Sequence, residues 1–572
     1  MTLESVSVQS MQYPTYIIPI LATLAVASAL VLIRKILQWK RSRREQRRLV
    51  QLRERYGLTV KRDRDFCGYQ EYLRVGKMSL GTFETDDQTW KDLNLHAVFN
   101  RIDRTYSTPG ELELYHFVRL IESSPERLAE RDRVVSCLQE NRCLRESIQL
   151  RLMDLGRTSH VSGVTHLIWN GDLPSTRFRR LLDVLLGVTV AALFASFAAV
   201  QQFGVPSASV MATVVILLGL NMAIHYWSRR RYEPLVFQIL YLGKLVNTGR
   251  RLATIHASDL QSRLARIGRL AQHARGIPSA NRFLFPERAG SLNLIDLLRE
   301  YIAILLLTEV RALQRVSDEI RNCRRELQEL SIEIGELDAF QSIASYRKSL
   351  DTFSRPEFCS EIRVQLEGVY HPLVQNPVAN SVSIGPERQC LVTGSNMSGK
   401  STLLRTIGVT AILAQSIATC TAMKYVAPLF HVLTSITPSD DLLGGKSFYL
   451  AEAERLLRML EATQQPSTAL CVIDEVLRGT NTTERVAAAT AILRHMTNGN
   501  AIVVAATHDR ELTEGLTTEF ESFHFTEMVD EDGIHFDYQI RSGPAVSTNA
   551  IQILKMLGYP EEIVAEATST AE

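Results

Sequence analysis

The run Gly394-Ser-Asn-Met-Ser-Gly-Lys-Ser-Thr402 constrains this chain more than any other stretch. It is a G-x-x-x-x-G-K-S loop. The apolar, strand-like run Gln389–Thr393 precedes it, and a helical pattern begins near Ser401. Such a loop requires that strand–loop–helix order. Its glycines let the backbone fold tightly, so that N–H groups can surround phosphates. The N-terminus of the following helix adds positive potential. On this reading Gly394, Ser395, Asn396, Met397, Ser398, Gly399, Lys400, Ser401 and Thr402 bind nucleotide. Lys400 takes the β- and γ-phosphates and the Ser401 hydroxyl ligates Mg2+. The implied cofactors are ATP and Mg2+.

Two further motifs fit the same chemistry. Leu470-Cys-Val-Ile-Asp474-Glu475 is an apolar strand delivering two carboxylates at its C-terminal end, where α/β sheets bind ligands. Asp474 is expected to hold Mg2+, directly or through water, and Glu475 to polarise the attacking water. Ala505-Ala-Thr507-His508-Asp509 follows the strand-like Ala501–Val504. A histidine at such a strand end, near a γ-phosphate, can sense it or orient water. Leu391–Thr393, Ala469–Ile473 and Ala501–Ala506 read as strands of a parallel sheet covered on both faces.

The rest of the chain must supply other domains, because 572 residues exceed one ordinary core. A net charge of +2 excludes the strongly basic signature of many nucleic-acid binders. The cysteines are scattered, which argues against a zinc site or a disulfide framework. Tyr16–Ile33, Leu181–Val200 and Val210–Trp227 are nearly free of charge and long enough to read as membrane helices. Arg34 and Lys35 follow the first, Arg179 and Arg180 precede the second, and Arg229–Arg231 follow the third. The positive-inside bias then puts those flanks in the cytoplasm and the Gln201–Ser209 turn outside. Thr108–Gln149 and Leu235–Arg347 have helical periodicity and many charges, and Val316–Leu337 reads as one long helix.

At this point the chain resembles the MutS family of ATPases. The family's T-G-P-N-M-G-G-K-S-T is similar to Thr393–Thr402, with Asn396 and Met397 as its distinguishing pair. Tyr370-His-Pro-Leu-Val374 resembles R-H-P-x-V, and Asp440-Asp-Leu-Leu-Gly-Gly-Lys-Ser447-Phe-Tyr resembles D-D-L-x-x-G-x-S-T-F. Asp474-Glu-Val-Leu-Arg-Gly-Thr480 is similar to D-E-I-G-R-G-T, and Ala506-Thr-His508 to A-T-H. Further upstream, Ile102–Gly110 resembles the L-D-x-T-x-T-x-x-G start of the family's lever helices, and Glu336-Leu-Asp338 their E-L-D return. Ser395, Ser398 and Leu477 depart from a usual Pro, Gly and Gly. The family's mismatch-reading domain, with its F-x-E wedge, has no counterpart here.

The resemblance implies ATP hydrolysis in a homodimer, with Ser447 of one chain reaching the γ-phosphate held by the other. The expected fold class is an α/β P-loop ATPase domain plus a mainly α-helical lever domain and transmembrane helices. Residues 1–48 are read as tail, membrane helix and basic flank, 49–180 and 229–350 as the two parts of the lever. Residues 181–228 are read as a transmembrane hairpin and 351–572 as the ATPase domain. The expected location is a multi-pass position in a bacterial inner membrane, with the ATPase domain cytoplasmic. Three biological readings stay open: ATP-driven dimer closure on DNA, without mismatch specificity; an ATP-driven change in a membrane or unidentified protein partner; and a non-hydrolysing nucleotide switch.

Overall fold

The computed structural model of the chain describes residues 17–60, 66–75, 82–171, 173, 179–203, 207–280, 284, 294–385, 387–395, 398–437, 448–477, 481–530, 533–544, 554 and 558–571. Met1–Tyr56 form one compact unit, in which α1 (Ile17–Arg55) is a single helix, apolar at first and strongly basic later. Gly57–Glu572 form the second.

The second unit opens with a mainly helical region. It comprises α2 (Phe66–Val75), α3 (Asp87–Asp92), α4 (Leu95–Ile102), α5 (Thr108–Arg119), α6 (Pro125–Glu140), α7 (Arg142–Leu155) and α8 (Val161–Trp169). It continues through α9 (Arg179–Phe203), α10 (Ser207–Leu252), α11 (Gln261–His273), α12 (Gly276–Ala280), α13 (Leu294–Leu306), α14 (Thr308–Asn322) and α15 (Arg324–Lys348). Strands β1 (Thr82–Glu84) and β2 (Leu120–Glu122) pair antiparallel within it. Local chemistry sets several helix starts. Ser107, Ser124 and Asn141 cap α5, α6 and α7 by accepting from Gly110, Arg127 and Leu144 N–H groups, and Pro109 and Pro125 stand in the first turns.

One buried carboxylate joins the two ends of this region. Asp338, on α15, accepts from Tyr106 N at 3.0 Å, Ser107 N at 2.7 Å, Ser107 Oγ at 2.5 Å and Gln341 Nε2 at 2.8 Å. A Cβ on Gly110 would collide with that carboxylate, so only glycine allows α5 this close. Burial pushes Asp338 up to about 6, against the pull of those same hydrogen bonds.

From Glu357 onward the chain is α/β. Strands β3 (Glu357–Phe358), β4 (Val364–Val369), β5 (Asn380–Ile384) and β7 (Lys424–Ala427) form one sheet in the order β3-β7-β4-β5. Strands β6 (Gln389–Thr393), β8 (Phe430–Ser435), β9 (Thr468–Asp474), β10 (Ala501–Ala506), β11 (Phe520–Asp530) and β12 (Gly533–Ser542) form the other, in the order β12-β11-β6-β10-β9-β8. All its pairs are parallel except β11 with β12. Every residue of β6 and β10 is buried, as expected for strands covered on both faces. The helices are α16 (Lys400–Ile417), α17 (Phe448–Thr463), α18 (Thr482–Met496), α19 (Arg510–Gly515) and α20 (Glu561–Ala571).

The helical region grips α16 at its C-terminal end. Arg347, wholly buried, donates to Ala418 O and Thr419 Oγ1, each at 2.8 Å, and pairs with Asp132 at 2.6 Å. Arg131 donates to Ser416 O with its guanidinium over the Phe117 ring. These cations meet the negative end of the helix dipole.

The structure corrects the expected fold class in one respect. Among the described residues, no helix is long and apolar enough to cross a membrane. The three membrane helices are therefore overturned, and with them the inner-membrane location and the membrane partner read from them. The physical reason is that each apolar run is part of a longer, charge-bearing helix. Helix α1 runs on through its basic half, and α10 continues unbroken through Arg229–Arg231 to Leu252. Several polar groups of the apolar pair face residues of α13 and α14. Asp183 on α9 pairs with Arg311 at 2.9 Å, Asn221 Nδ2 donates to Leu305 O at 3.1 Å, and His225 lies 3.8 Å from Glu309. The outer faces keep apolar side chains exposed, Val188, Phe194, Ile216 and Trp227 among them.

Candidate active site

Three motifs end on three adjacent strands. In the register of the large sheet, Ala506 on β10 pairs with Val392 on β6 at one side and with Asp474 on β9 at the other. Two hydrogen bonds prolong the alignment past the strand ends, from Thr507 N to Val392 O at 3.0 Å and from Glu475 N to Ala506 O at 2.9 Å. The phosphate loop, the acidic pair and His508 thus open at one edge of the sheet.

The loop after β6 turns on two glycines in backbone conformations closed to other residues. Gly394 has φ 139° and Gly399 φ 114°. A Cβ on Gly394 would lie 3.0 Å from Ser398 Oγ and 3.1 Å from Phe525 O. Lys400, buried, donates from Nζ to Gly394 O and to Ser395 O, both at 2.7 Å, so its ammonium stands inside the loop. Ser395 Oγ donates to Glu527, and the buried Ser398 Oγ has no hydrogen-bond partner among the described residues. Asn396 and Met397 lie outside the described residues. Thr402, in the first turn of α16, is exposed, and its carbonyl accepts from Thr406 Oγ1 at 2.6 Å.

Ser401 Oγ donates to Asp474 Oδ2 at 2.5 Å. This places a hydroxyl and a buried carboxylate side by side, the hard oxygen donors that Mg2+ takes, so these residues fit the ion. Glu475 follows at φ 56°, and its Oε1 lies 3.4 Å from His508 Nδ1. His508 is half exposed and also lies 3.8 Å from Asp509, which Arg485 on α18 holds at 2.7 Å. The structure therefore brings Lys400, Ser401, Asp474, Glu475 and His508 together. Ser447 lies outside the described residues, as does the rest of its motif from Asp440.

The departure at Leu477 has a visible consequence. Leu477 stands at φ 57°, a left-handed conformation that glycine adopts freely and leucine does not. Two contacts hold it there. Glu452 Oε1 on α17 accepts its N–H at 2.8 Å, and its side chain is buried in the apolar cluster under the sheet.

Some residues of the site were not singled out from the sequence. Tyr538, on β12, is one: a Cβ on Gly399 would lie 3.4 Å from its Cδ1. Asn380 binds the same strand, donating to Tyr538 O at 3.0 Å and accepting from Ile540 N at 2.8 Å. Glu452 and Glu527 are others. They reach the loop from distant positions, and no local motif announces them. His371, from the Tyr370–Val374 motif, is buried, and burial followed by the Arg405 charge pushes it down to about 4. It is neutral, with Nδ1 accepting from Leu373 N at 3.3 Å.

Comparison with known proteins matches this geometry. Residues 390–572 fit the family model of MutS domain V. The DNA mismatch repair protein MutS of Thermotoga petrophila is 33% identical over 304 residues, which is 51% of this chain and 37% of that protein. The protein of that name from Natronomonas pharaonis is 31% identical over 268 residues, 45% of this chain and 31% of its own length. That of Thermus aquaticus is 33% identical over 270 residues, 46% of this chain and 32% of its own length. The chain thus spans about a third of the length of the curated relatives it matches. It carries a MutS domain V, an ATPase domain whose reaction is the hydrolysis of ATP, and is distantly homologous to MutS over about half its length.

Proposed function

We propose that this chain is a MutS-like ATPase that couples ATP binding and hydrolysis to a rearrangement of a dimer on duplex DNA, without reading mismatches. The observation that carries the ATPase part is the convergence of Lys400, Ser401, Asp474 and Glu475 on adjacent strand ends, with Ser401 against Asp474 at 2.5 Å. Loop N–H groups and the Lys400 ammonium bind and orient the phosphates. Ser401 and Asp474 would hold Mg2+, which would supply neutralising charge for the phosphates. Glu475 polarises the attacking water and takes up its proton, with His508 holding the Glu475 carboxylate in place. The bond to the γ-phosphorus then breaks on the ADP side, releasing ADP and phosphate.

The DNA part is supported by the name of the curated relatives and by one surface. Helix α11 carries Arg263, Arg266, Arg269 and His273 with no acidic residue, and its outer face borders a groove shared with Arg325 of α15. Glu329 and Glu333 pair with Arg266, and Glu329 also pairs with Arg325. Arg269 is exposed beside them, and Glu326 also lines the groove. Such a face suits phosphate contacts rather than base reading.

The test is phosphate release by the purified full chain, with and without duplex DNA. Turnover that needs Mg2+ and changes at least severalfold on adding duplex supports the proposal. Turnover indifferent to DNA supports a protein partner instead. No turnover under any condition leaves a nucleotide switch.

A further inference from the structure

We infer that Asp92, on α3 of the helical region, is a positioning residue for ATP hydrolysis, acting through Arg455 and Glu452 on the loop that follows Asp474 and Glu475. The inference rests on the ATPase reading above.

Asp92 is fully buried and lies outside the α/β domain in sequence, yet four donors from two regions converge on it. Oδ2 accepts from Thr434 Oγ1 at 2.8 Å and Ile436 N at 3.0 Å, and Oδ1 from Thr437 N and Gln88 Nε2, each at 3.0 Å. Thr434 is at the end of β8 and Ile436 and Thr437 are the first residues after it, whereas Gln88 belongs to α3 itself. The backbone carbonyl of Asp92 accepts from Arg405 Nε at 2.9 Å, on the helix that starts with Lys400 and Ser401. Arg455 of α17 completes the cluster. It lies 4.0 Å from Asp92 and 3.7 Å from Asp86, and it donates to Thr434 O.

The path to the chemistry is one helical turn long. Three residues before Arg455 on the same face of α17, Glu452 accepts the N–H of Leu477. Leu477 and Glu475 both sit at positive φ, 57° and 56°. Strain of that kind persists only where surroundings over-determine it. Asp92 holds Arg455 and the exit of β8, Arg455 holds α17, and Glu452 on α17 holds the strained loop that aims Glu475. A buried carboxylate with every lone pair engaged resists displacement, because a lost donor leaves an unsatisfied charge in the interior. The cluster therefore transmits the setting of the helical region to the water-activating carboxylate.

The experiment measures kcat, KM, direct binding of a fluorescent ATP analogue and Tm for the full chain and three variants. Asp92→Asn cannot accept at both oxygens, and it is expected to lower kcat about tenfold or more, since small misplacements of a catalytic group are costly. Its nucleotide Kd should stay within about twofold, because the phosphate loop is untouched. Glu452→Ala should show the same split. Glu452→Gln should restore kcat, because its amide oxygen still accepts from Leu477. Should Asp92→Asn fail to fold, Thr434→Val removes one donor only, and a reduced kcat at unchanged Kd supports the inference in the same way. A lower Tm with unchanged kcat in Asp92→Asn or Glu452→Ala marks a merely structural role and overturns it. Failure of Glu452→Gln to restore what Glu452→Ala loses also overturns it. A wild-type chain with no turnover sinks the ATPase reading and this inference together, whereas wild-type turnover matched by all variants sinks this inference alone.

Discussion

The hydroxyl of Ser401 donates to the carboxylate of Asp474 at 2.5 Å, although β6, which leads towards Ser401, and β9, which ends on Asp474, are not neighbours in the sheet. Strand β10 lies between β6 and β9, so the contact exists only because α16 begins over the strand ends and leans across them. That crossing brings two separate motifs together in one place.

Lys400→Ala should abolish tight ATP binding. The ammonium stands inside the loop on two carbonyls, and no other cation among the described residues donates to those carbonyls. Removing it should raise the Kd for ATP about 100-fold or more, a loss of roughly 2.7 kcal/mol. Fluorescence titration with an ATP analogue checks this. Near-wild-type affinity would show that the loop does not work as assigned.

Glu475→Gln should keep ATP binding and slow hydrolysis by about 10²–10⁴-fold, the scale of a positioned general base. The amide keeps the shape and the 3.4 Å approach to His508 but cannot accept the proton. Single-turnover phosphate release is the measurement, and wild-type rates in this variant would remove Glu475 from the mechanism.

How far the sequence disclosed this site depends on where each residue's partner lies. Lys400, Ser401, Asp474 and Glu475 were legible because their chemistry is written in short local motifs beside apolar strands. Glu452, Glu527 and Tyr538 were not, since each meets the loop through tertiary packing. Leu477 was legible only as a departure. The structure adds that it occupies the left-handed conformation which makes glycine usual there. The apolar runs misled for a different reason. A window of hydropathy cannot tell a membrane helix from one segment of a longer helix, and it does not see Arg311 beside Asp183 or Glu309 near His225.

Glu113 should make stability fall with rising pH. Tyr72 Oη donates to it in the core between α2 and α5, and burial, then the neighbouring Glu336, pushes its carboxyl up to about 8. Its other oxygen lies 3.5 Å from His116, which burial pushes down to about 4. A folded pKa above the unfolded value favours folding of the protonated form. The contribution is therefore whole below about 4.5 and lost as pH rises through about 8. Glu113→Gln keeps the shape and the acceptor for Tyr72. It should match the wild type in Tm near pH 5 and exceed it near pH 9, where the stability difference is on the order of a few kcal/mol. An equal Tm difference at both pH values would contradict the assignment.

Composite sites in a dimer should reveal themselves by complementation. On the resemblance, Ser447 acts in trans, so Ser447→Ala should lower turnover and leave ATP binding nearly intact. Mixing Ser447→Ala with Lys400→Ala puts both lesions in one site of the mixed dimer and leaves the other site whole. Activity should recover partly, peaking near equal ratios. No recovery at any ratio argues against a shared site.

The last prediction concerns mismatches. A protein that reads them must unstack and kink the duplex, at a few kcal/mol, and does so with an inserted apolar wedge. Two aromatic residues before α5, Tyr69 and Phe83, are already committed elsewhere. Tyr69 is buried against Phe99 and Tyr115, and Phe83 stacks on His431 at 5.3 Å. Withdrawing either ring to wedge a base step would empty part of the core. Phosphate contacts along α11 are what remains, and these are blind to sequence. The full chain should therefore bind perfect and mismatched duplexes within about threefold, a difference under about 1 kcal/mol. Binding should weaken steeply as salt rises, and Arg269→Glu should weaken it for both duplexes alike. Competition binding at physiological salt decides the matter. A preference for the mismatch of about tenfold or more would mean that this chain reads base pairs through a surface other than α11.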